Sequence, residues 1–337
     1  MREMTRSTNT QSTYLIPSLL LSQGMIMSGT IGYFVVESAV PPAVVVFWRC
    51  TLGAAALLLV IAVQRGPRLQ LLRIVTTRTG LAVALSGVLL VANWVLIFTA
   101  YEQLSIGVAT IVFHVEPFLL IGLGALFLGD RITARTFIWA ALGFGGIVLV
   151  AQPWTAEPGQ LRDQLISVGL TLTAAALYAE SIIVVRRVQA RTDEPPSPLV
   201  ITAGQLVVGA LVTSPALALV PHDITGDGWG HLAVLGLINT ALMYLIIYAS
   251  YPHLDTATIG VLAFIYPAAA VVVDLIAYGI AITVLQLLGF AAITVAGIGQ
   301  AVTNRPTLAC GLPSDSSDRD PHSRKPTPPR APEFRSS

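Results

Sequence analysis

Five ionisable residues lie inside apolar stretches of this chain: Arg49, His114, Glu116, Glu180 and Asp274. A charge at the centre of a membrane helix costs about 2.5–3.5 kcal/mol on insertion scales, so such groups face an interior cavity or a partner. Two chemistries are open to Arg49. It can bond a backbone carbonyl or an acid such as Glu37 or Glu116, or its planar fork can grip a solute carboxylate through paired N–H groups. Glu116 precedes Pro117, whose ring removes a helical hydrogen bond and kinks the helix. Burial favours the neutral form of a carboxyl group, so an acid placed there could trade a proton for substrate. The other reading is a permanently paired or protonated structural acid. His114 lies two residues earlier, about 200° around a helix, so the two cannot share a face. It is either a satisfied core residue or part of a proton relay. Asp274 is a candidate gate near an outer mouth, or a group reaching interfacial water. Glu180, two turns before Arg187 on one face, belongs to a relay or to a structural network below the cavity.

Aromatic residues could supply the fit for a substrate. Trp94, Phe98 and Tyr101 share one helix face, as do Tyr244, Tyr248 and Tyr251. Such stripes serve either helix packing or a pocket. Asn93 can hydrogen-bond across helices or to a ligand. Arg49, Asn93, Trp94, Tyr244 and Tyr266 form the candidate substrate-binding set. Glu116, His114, Asp274 and Glu180 form the candidate coupling set, and Pro117 and Pro267 are the expected helix kinks.

The elements that must position these groups are membrane helices. Hydrophobic residues make up 54% of the chain and charged ones 11%, and mean hydropathy is +0.75. A soluble domain carries about 25% charged residues, so most of this surface faces lipid. Ten apolar runs of roughly spanning length lie near 14–36, 41–63, 79–101, 104–128, 133–152, 166–185, 198–220, 230–250, 256–279 and 283–303. The first shows no convincing signal-peptide cleavage site and is read as a retained helix. The stretch 304–337, rich in Pro, Ser and Arg, reads as a disordered tail.

Two copies of one segment stand 150 residues apart, without a gap: Asn93–Thr133 against Met243–Thr283. Tyr101 falls on Tyr251, Leu104 on Leu254, Pro117 on Pro267, Gly129 on Gly279 and Thr133 on Thr283. The charged turn Asp130-Arg131 of the first copy becomes Ile280-Ala281 in the second. Arginines cluster between runs two and three (Arg65, Arg68, Arg73, Arg78), after run four (Arg131, Arg135) and after run six (Arg186, Arg187, Arg191). The alternate loops hold only Arg162. Cytoplasmic termini place every basic loop on one side, and five helices per half inverts the second half. The expected architecture is therefore an all-α integral membrane protein of ten transmembrane helices in two inverted five-helix repeats. Its segments are a cytoplasmic tail (1–13), the first repeat (14–152), an extracytoplasmic linker (153–165), the second repeat (166–303) and a cytoplasmic tail (304–337).

In order and spacing the chain resembles the drug/metabolite transporter superfamily, specifically its ten-helix proteins with two EamA-type repeats. The resemblance rests on Pro42 to Arg49, the aromatic third helix, Pro117, the Leu128–Thr133 turn, and Gly143, Gly145 and Gly146. In the second half it rests on Thr240–Tyr244, Pro267, Gly289 and Gly297. It implies export of amino acids, metabolites or drugs through a central cavity. Where the family carries a glutamate in the turn after helix four, and often after helix nine, this chain has Asp130 and Ile280.

Several functions are excluded or disfavoured by composition. The one lysine, Lys325, rules out a Walker-type phosphate loop and argues against a Schiff-base enzyme. Cys50 and Cys310 cannot build a disulfide framework or a zinc site. No metalloprotease or serine-hydrolase motif is present, which argues against a multi-pass membrane enzyme. A non-transporting scaffold would leave the ionisable groups at membrane depth unexplained. The expectation is a transporter without cofactor or metal, in the inner (plasma) membrane, as a monomer or homodimer. Its partners are a small-molecule substrate and the bilayer, a proton is the candidate coupling ion, and no nucleic acid is involved. An uncoupled facilitator of the same solutes is the alternative.

Overall fold

Long runs with few charges leave backbone polar groups no partner in lipid but each other, and helices satisfy all of them within one segment. In the computed structural model the described residues are 2–303, apart from 75–76, 117, 120–121, 124–125, 127–133, 156–159, 192–193, 251–252, 255–258 and 260–261. Regular structure among them is helical throughout. In the first half the helices are α1 (Arg2–Gly29), α2 (Ile31–Glu37), α3 (Pro42–Val63), α4 (Arg65–Ile74), α5 (Arg78–Ala100), α6 (Ile106–Phe113) and α7 (Ala134–Ala151). The second half has α8 (Leu161–Arg191), α9 (Pro198–Thr213), α10 (Gly226–Ala233), α11 (Met243–Ser250), α12 (Ile265–Tyr278) and α13 (Val284–Thr303). A π-helical stretch, Val234–Leu242, joins α10 to α11.

Among the described residues six segments are long and apolar enough to cross a membrane: Leu15–Glu37, Pro42–Val63, Arg78–Ala100, Leu161–Val185, Pro198–Leu219 and Gly226–Ile247. Shorter apolar helices at Phe137–Ala151, Ile265–Tyr278 and Val284–Gly299 match runs five, nine and ten. Run four holds α6 and several residues outside the described set.

Helix packing respects the repeat. Exchanging the halves turns span one into span six, two into seven, and so on. The contacts α5–α8, α5–α9 and α6–α8 then become α11–α1, the π-helical stretch with α3, and α12–α1, and all six contacts occur. The pairs α3–α9, α6–α12 and α7–α13 map onto themselves and also pack. A two-fold relation between halves produces this pattern, and with five crossings per half its axis lies in the membrane plane. At the α7–α13 crossing the backbones meet through glycine. A Cβ on Gly289 would stand 2.6 Å from the Gly146 carbonyl oxygen, and one on Gly146 would stand 2.7 Å from that of Gly289. Small residues are what permit such an approach.

Three expectations are revised. The arginine-rich loop between runs two and three is a helix, α4, set off by the extended backbone of Gln64. Run eight starts earlier, at Gly226, where the Thr225 hydroxyl caps it by accepting from Gly228 N at 3.1 Å. Run four is not one continuous helix: α6 stops at Phe113, and His114 and Val115 form a turn before helix resumes at Glu116. The 200° separation of His114 and Glu116 therefore does not apply. Pro117, the Asp130 turn, Tyr251 and the tail from residue 304 lie outside the described residues.

Candidate functional site

Among the described residues Arg49 is the largest fully buried side chain, 2% exposed about a third of the way along α3. Its Nε donates to the Thr240 hydroxyl at 2.8 Å. Its guanidinium carbon lies 4.0 Å from the centre of the Trp94 ring and 5.8 Å from that of Phe98, and Phe98 stacks on Tyr101. Tyr244, Cys50, Tyr266 and Tyr101 are its other electrostatic neighbours. Among the described residues no carboxylate pairs with it; the ion pair there joins Arg73 to Glu194. A desolvated cation–π contact contributes about 2 kcal/mol and a hydrogen bond from a charged donor about 1.5–3 kcal/mol. Together these are enough to offset the roughly 2.5–3.5 kcal/mol cost of the charge. The arginine can therefore be held without an acid, and the two-nitrogen edge that carboxylates recognise is not used by one.

The repeat explains why these aromatics converge. Trp94 and Tyr244 occupy equivalent positions in the two halves; Trp94 stacks on the one guanidinium and Tyr244 is among its electrostatic neighbours. Tyr266, equivalent to Glu116, is another. Position 49 has no basic counterpart in the second half, where Leu199 stands 150 residues on. Symmetric walls thus surround a single cation.

Thr240 is the residue the sequence reading missed. It lies in the π-helical stretch, where its hydroxyl donates to the Leu235 carbonyl five residues back at 2.7 Å while accepting from Arg49. Such π-turns often mark functional sites. The available signal was its place one turn before Tyr244, on the same face. Thr240→Val would leave Nε buried without an acceptor, a loss of about 1–3 kcal/mol. Its apparent substrate affinity should fall roughly tenfold or more, while Thr240→Ser stays near wild type. Initial-rate transport over a concentration series checks this. Equal KM for the valine variant would detach Thr240 from the site.

Both halves break a helix at the same place. His114 follows α6 and its equivalent, Phe264, precedes α12, with Pro117 and Pro267 three residues on. The two rings meet at 5.2 Å between centroids, and His114 lies 5.6 Å from Tyr266. The His114 ring lies near the Ala263 backbone, and its buried Nδ1 has no hydrogen-bond partner among the described residues. Glu116 is half-buried just beyond this break.

The remaining candidates stand elsewhere. Asp274 is 3% exposed, so it does not reach interfacial water. Its two carboxylate oxygens accept from Ile106 N at 3.2 Å and Gly107 N at 2.6 Å, capping α6 across the repeat boundary. A carboxylate suits the positive end of a helix dipole, so the structure gives this acid a structural task. Nearby, Tyr278 donates to Glu37 at 2.9 Å and Gln152 to Thr283 at 2.9 Å, so this end of the bundle is tied across both repeats. Glu180 is half-buried on α8 and makes no ion pair with Arg187 among the described residues. Asn93 is 1% exposed; its Nδ2 reaches the Leu90 carbonyl at 3.4 Å, and its Oδ1 has no partner among the described residues. Its repeat equivalent, Met243, packs on α1 and accepts from the Ser28 hydroxyl, which places Asn93 on the face equivalent to that one. No cluster of metal-ligating side chains occurs among the described residues.

Comparison with known proteins agrees with this architecture. A solved crystal structure superposes on 86% of this chain and 99% of its own with a TM-score of 0.61; at 16% identity this likeness concerns the fold alone. An uncharacterized transporter of Bacillus subtilis, YxxF, is 26% identical over 286 residues, covering 84% of this chain and 88% of that protein. The EamA-like transporter family matches the sequence twice, over residues 16–152 and 165–299, which are the two repeats that the packing relates. Two matched repeats and a buried cation at their junction have one common description: the chain is a multi-pass membrane protein that belongs to the EamA-like transporter family.

Proposed function

We propose that this transporter carries a small organic solute bearing a carboxylate or similar anion, and that Arg49 receives the anion through its terminal nitrogens. The observation that carries the reading is a buried guanidinium held by Thr240 and Trp94 with no acid partner among the described residues. Tyr101, Tyr244 and Tyr266 offer phenols to the rest of the solute. Glu116, half-buried just beyond the break in its span, is the acid assigned to proton coupling. Export by alternating access in the plasma membrane, with both termini cytoplasmic, completes the proposal. Overproduction in a host cell should raise tolerance to toxic carboxylate-bearing solutes, amino-acid analogues among them. Arg49→Gln, expressed to the same level, should abolish the protection. Equal protection by that variant would remove the anion from the proposal.

The orientation has its own test. With Cys50 and Cys310 replaced, a cysteine at position 225 should label from outside intact cells. Cysteines at positions 70 and 190 should label only after permeabilisation. The reverse pattern would turn the protein over in the membrane, and labelling of all three from one side would contradict the inverted relation.

A further inference from the structure

The short helix α4 plays no part in the site, and its two faces differ in kind. Ten residues span about 15 Å, too little to cross a bilayer, so α4 lies at the end of the bundle. At 100° per residue, Gln70, Leu71 and Ile74 fall on one side. Leu71 and Ile74 pack on the core, and the Gln70 side-chain oxygen accepts from Ser197 N at 3.1 Å. The opposite side carries Leu69 and Leu72, 49% and 64% exposed. Exposed arginines accompany them, Arg65 at the start of the helix in line with the two leucines, Arg68 on one edge and Arg73 on the other. Arg73 pairs with Glu194, anchoring α4 to the segment before α9. Arg65 and Arg68 pair with no acid among the described residues. A solvated helix gains nothing from two leucines on its outer face. A helix lying on a membrane sinks such leucines to the acyl boundary and holds its arginines at headgroup level.

We propose that α4 is a membrane-surface helix that binds anionic lipid headgroups through Arg65 and Arg68 while Leu69 and Leu72 enter the bilayer. This rests on the cytoplasmic placement of α4 given above, since the cytoplasmic leaflet is the negatively charged one. Binding there ties the cytoplasmic ends of α3 and α9, both of which touch α4, to the lipid surface.

The test uses the full chain with Cys50 and Cys310 replaced by Ser, and Leu69→Cys or Leu72→Cys carrying a nitroxide. The protein is reconstituted in phosphatidylcholine vesicles with or without phosphatidylglycerol. Collisions with oxygen report lipid, and collisions with a water-soluble nickel chelate report water. In phosphatidylglycerol vesicles oxygen should dominate at both positions. Omitting phosphatidylglycerol, or adding Arg65→Gln with Arg68→Gln, should shift the ratio towards nickel by roughly tenfold, given two basic side chains at an anionic surface. Arg73 is left in place so that its pairing with Glu194 persists. Nickel access equal to that of a loop label at Asp223→Cys, in both lipids, would overturn the proposal and leave this face to water or a protein partner. Oxygen dominance indifferent to phosphatidylglycerol and to the arginines would overturn the headgroup assignment. Vesicles report lipid contact on either face, so a wrong orientation is exposed separately by the intact-cell labelling.

Discussion

Arg49→Lys should insert and fold like the wild type and yet transport poorly, with apparent affinity lower by about ten- to a hundredfold. Charge is conserved, so the insertion cost hardly changes. What changes is geometry. Lysine has no Nε to donate to Thr240 along the present direction, no plane to lie on Trp94, and no paired edge for a carboxylate. A lost charge-assisted hydrogen bond is worth about 1.5–3 kcal/mol, and every 1.4 kcal/mol is about tenfold in affinity. Expression, thermal stability and initial rates of transport in the same membranes separate folding from binding. Wild-type transport by the lysine variant would reduce Arg49 to a generic positive charge.

Glu116→Gln should abolish gradient-driven accumulation while leaving substrate exchange measurable. Glutamine imitates the protonated acid permanently, and removing the charge lowers the burial cost, so the fold should persist. Glu116 is half-buried immediately after the break at His114 and Val115, the part of its span where regular helix is interrupted. A protonation event there is well placed to alter how the two segments meet. Proteoliposomes with and without an imposed pH gradient give the answer. If the glutamine variant still concentrates substrate against its gradient, coupling lies elsewhere, or the protein equilibrates its solute as a facilitator.

Much of this was legible in the sequence, for definite reasons. Hydropathy located the spans because lipid demands long apolar helices. The gap-free match of 93–133 to 243–283 made Trp94 and Tyr244 equivalent, and both lie in the surroundings of Arg49. Other features left weaker traces. The π-helical turn at Thr240 inserts no special residue, so hydropathy passes over it. The α4 leucines lie among arginines that read as a topology signal, which hid the helix. Asp274 meets α6 across 168 residues, a contact that no local pattern announces, and a membrane-depth acid reads as functional until its two amide donors are seen. The sequence offered Pro117 and Pro267 as kink positions, but not that helix would already break at His114 and Val115 or that the His114 ring would meet Phe264 and Tyr266.

Arg49 is proposed to recognise an anion at the junction of the repeats. The most direct test of this is ligand-dependent stabilisation of the purified protein. Wild type and Arg49→Gln are heated with a panel of small carboxylates, including amino acids, and with the neutral amide of each. Ligand at a hundred times its Kd stabilises by about 2.7 kcal/mol, a shift of a few degrees that a thermal assay resolves. If Arg49 recognises the anion, some carboxylates stabilise the wild type, their amides do not, and Arg49→Gln responds to neither. Stabilisation by acid and amide alike, or an undiminished response in Arg49→Gln, would contradict it.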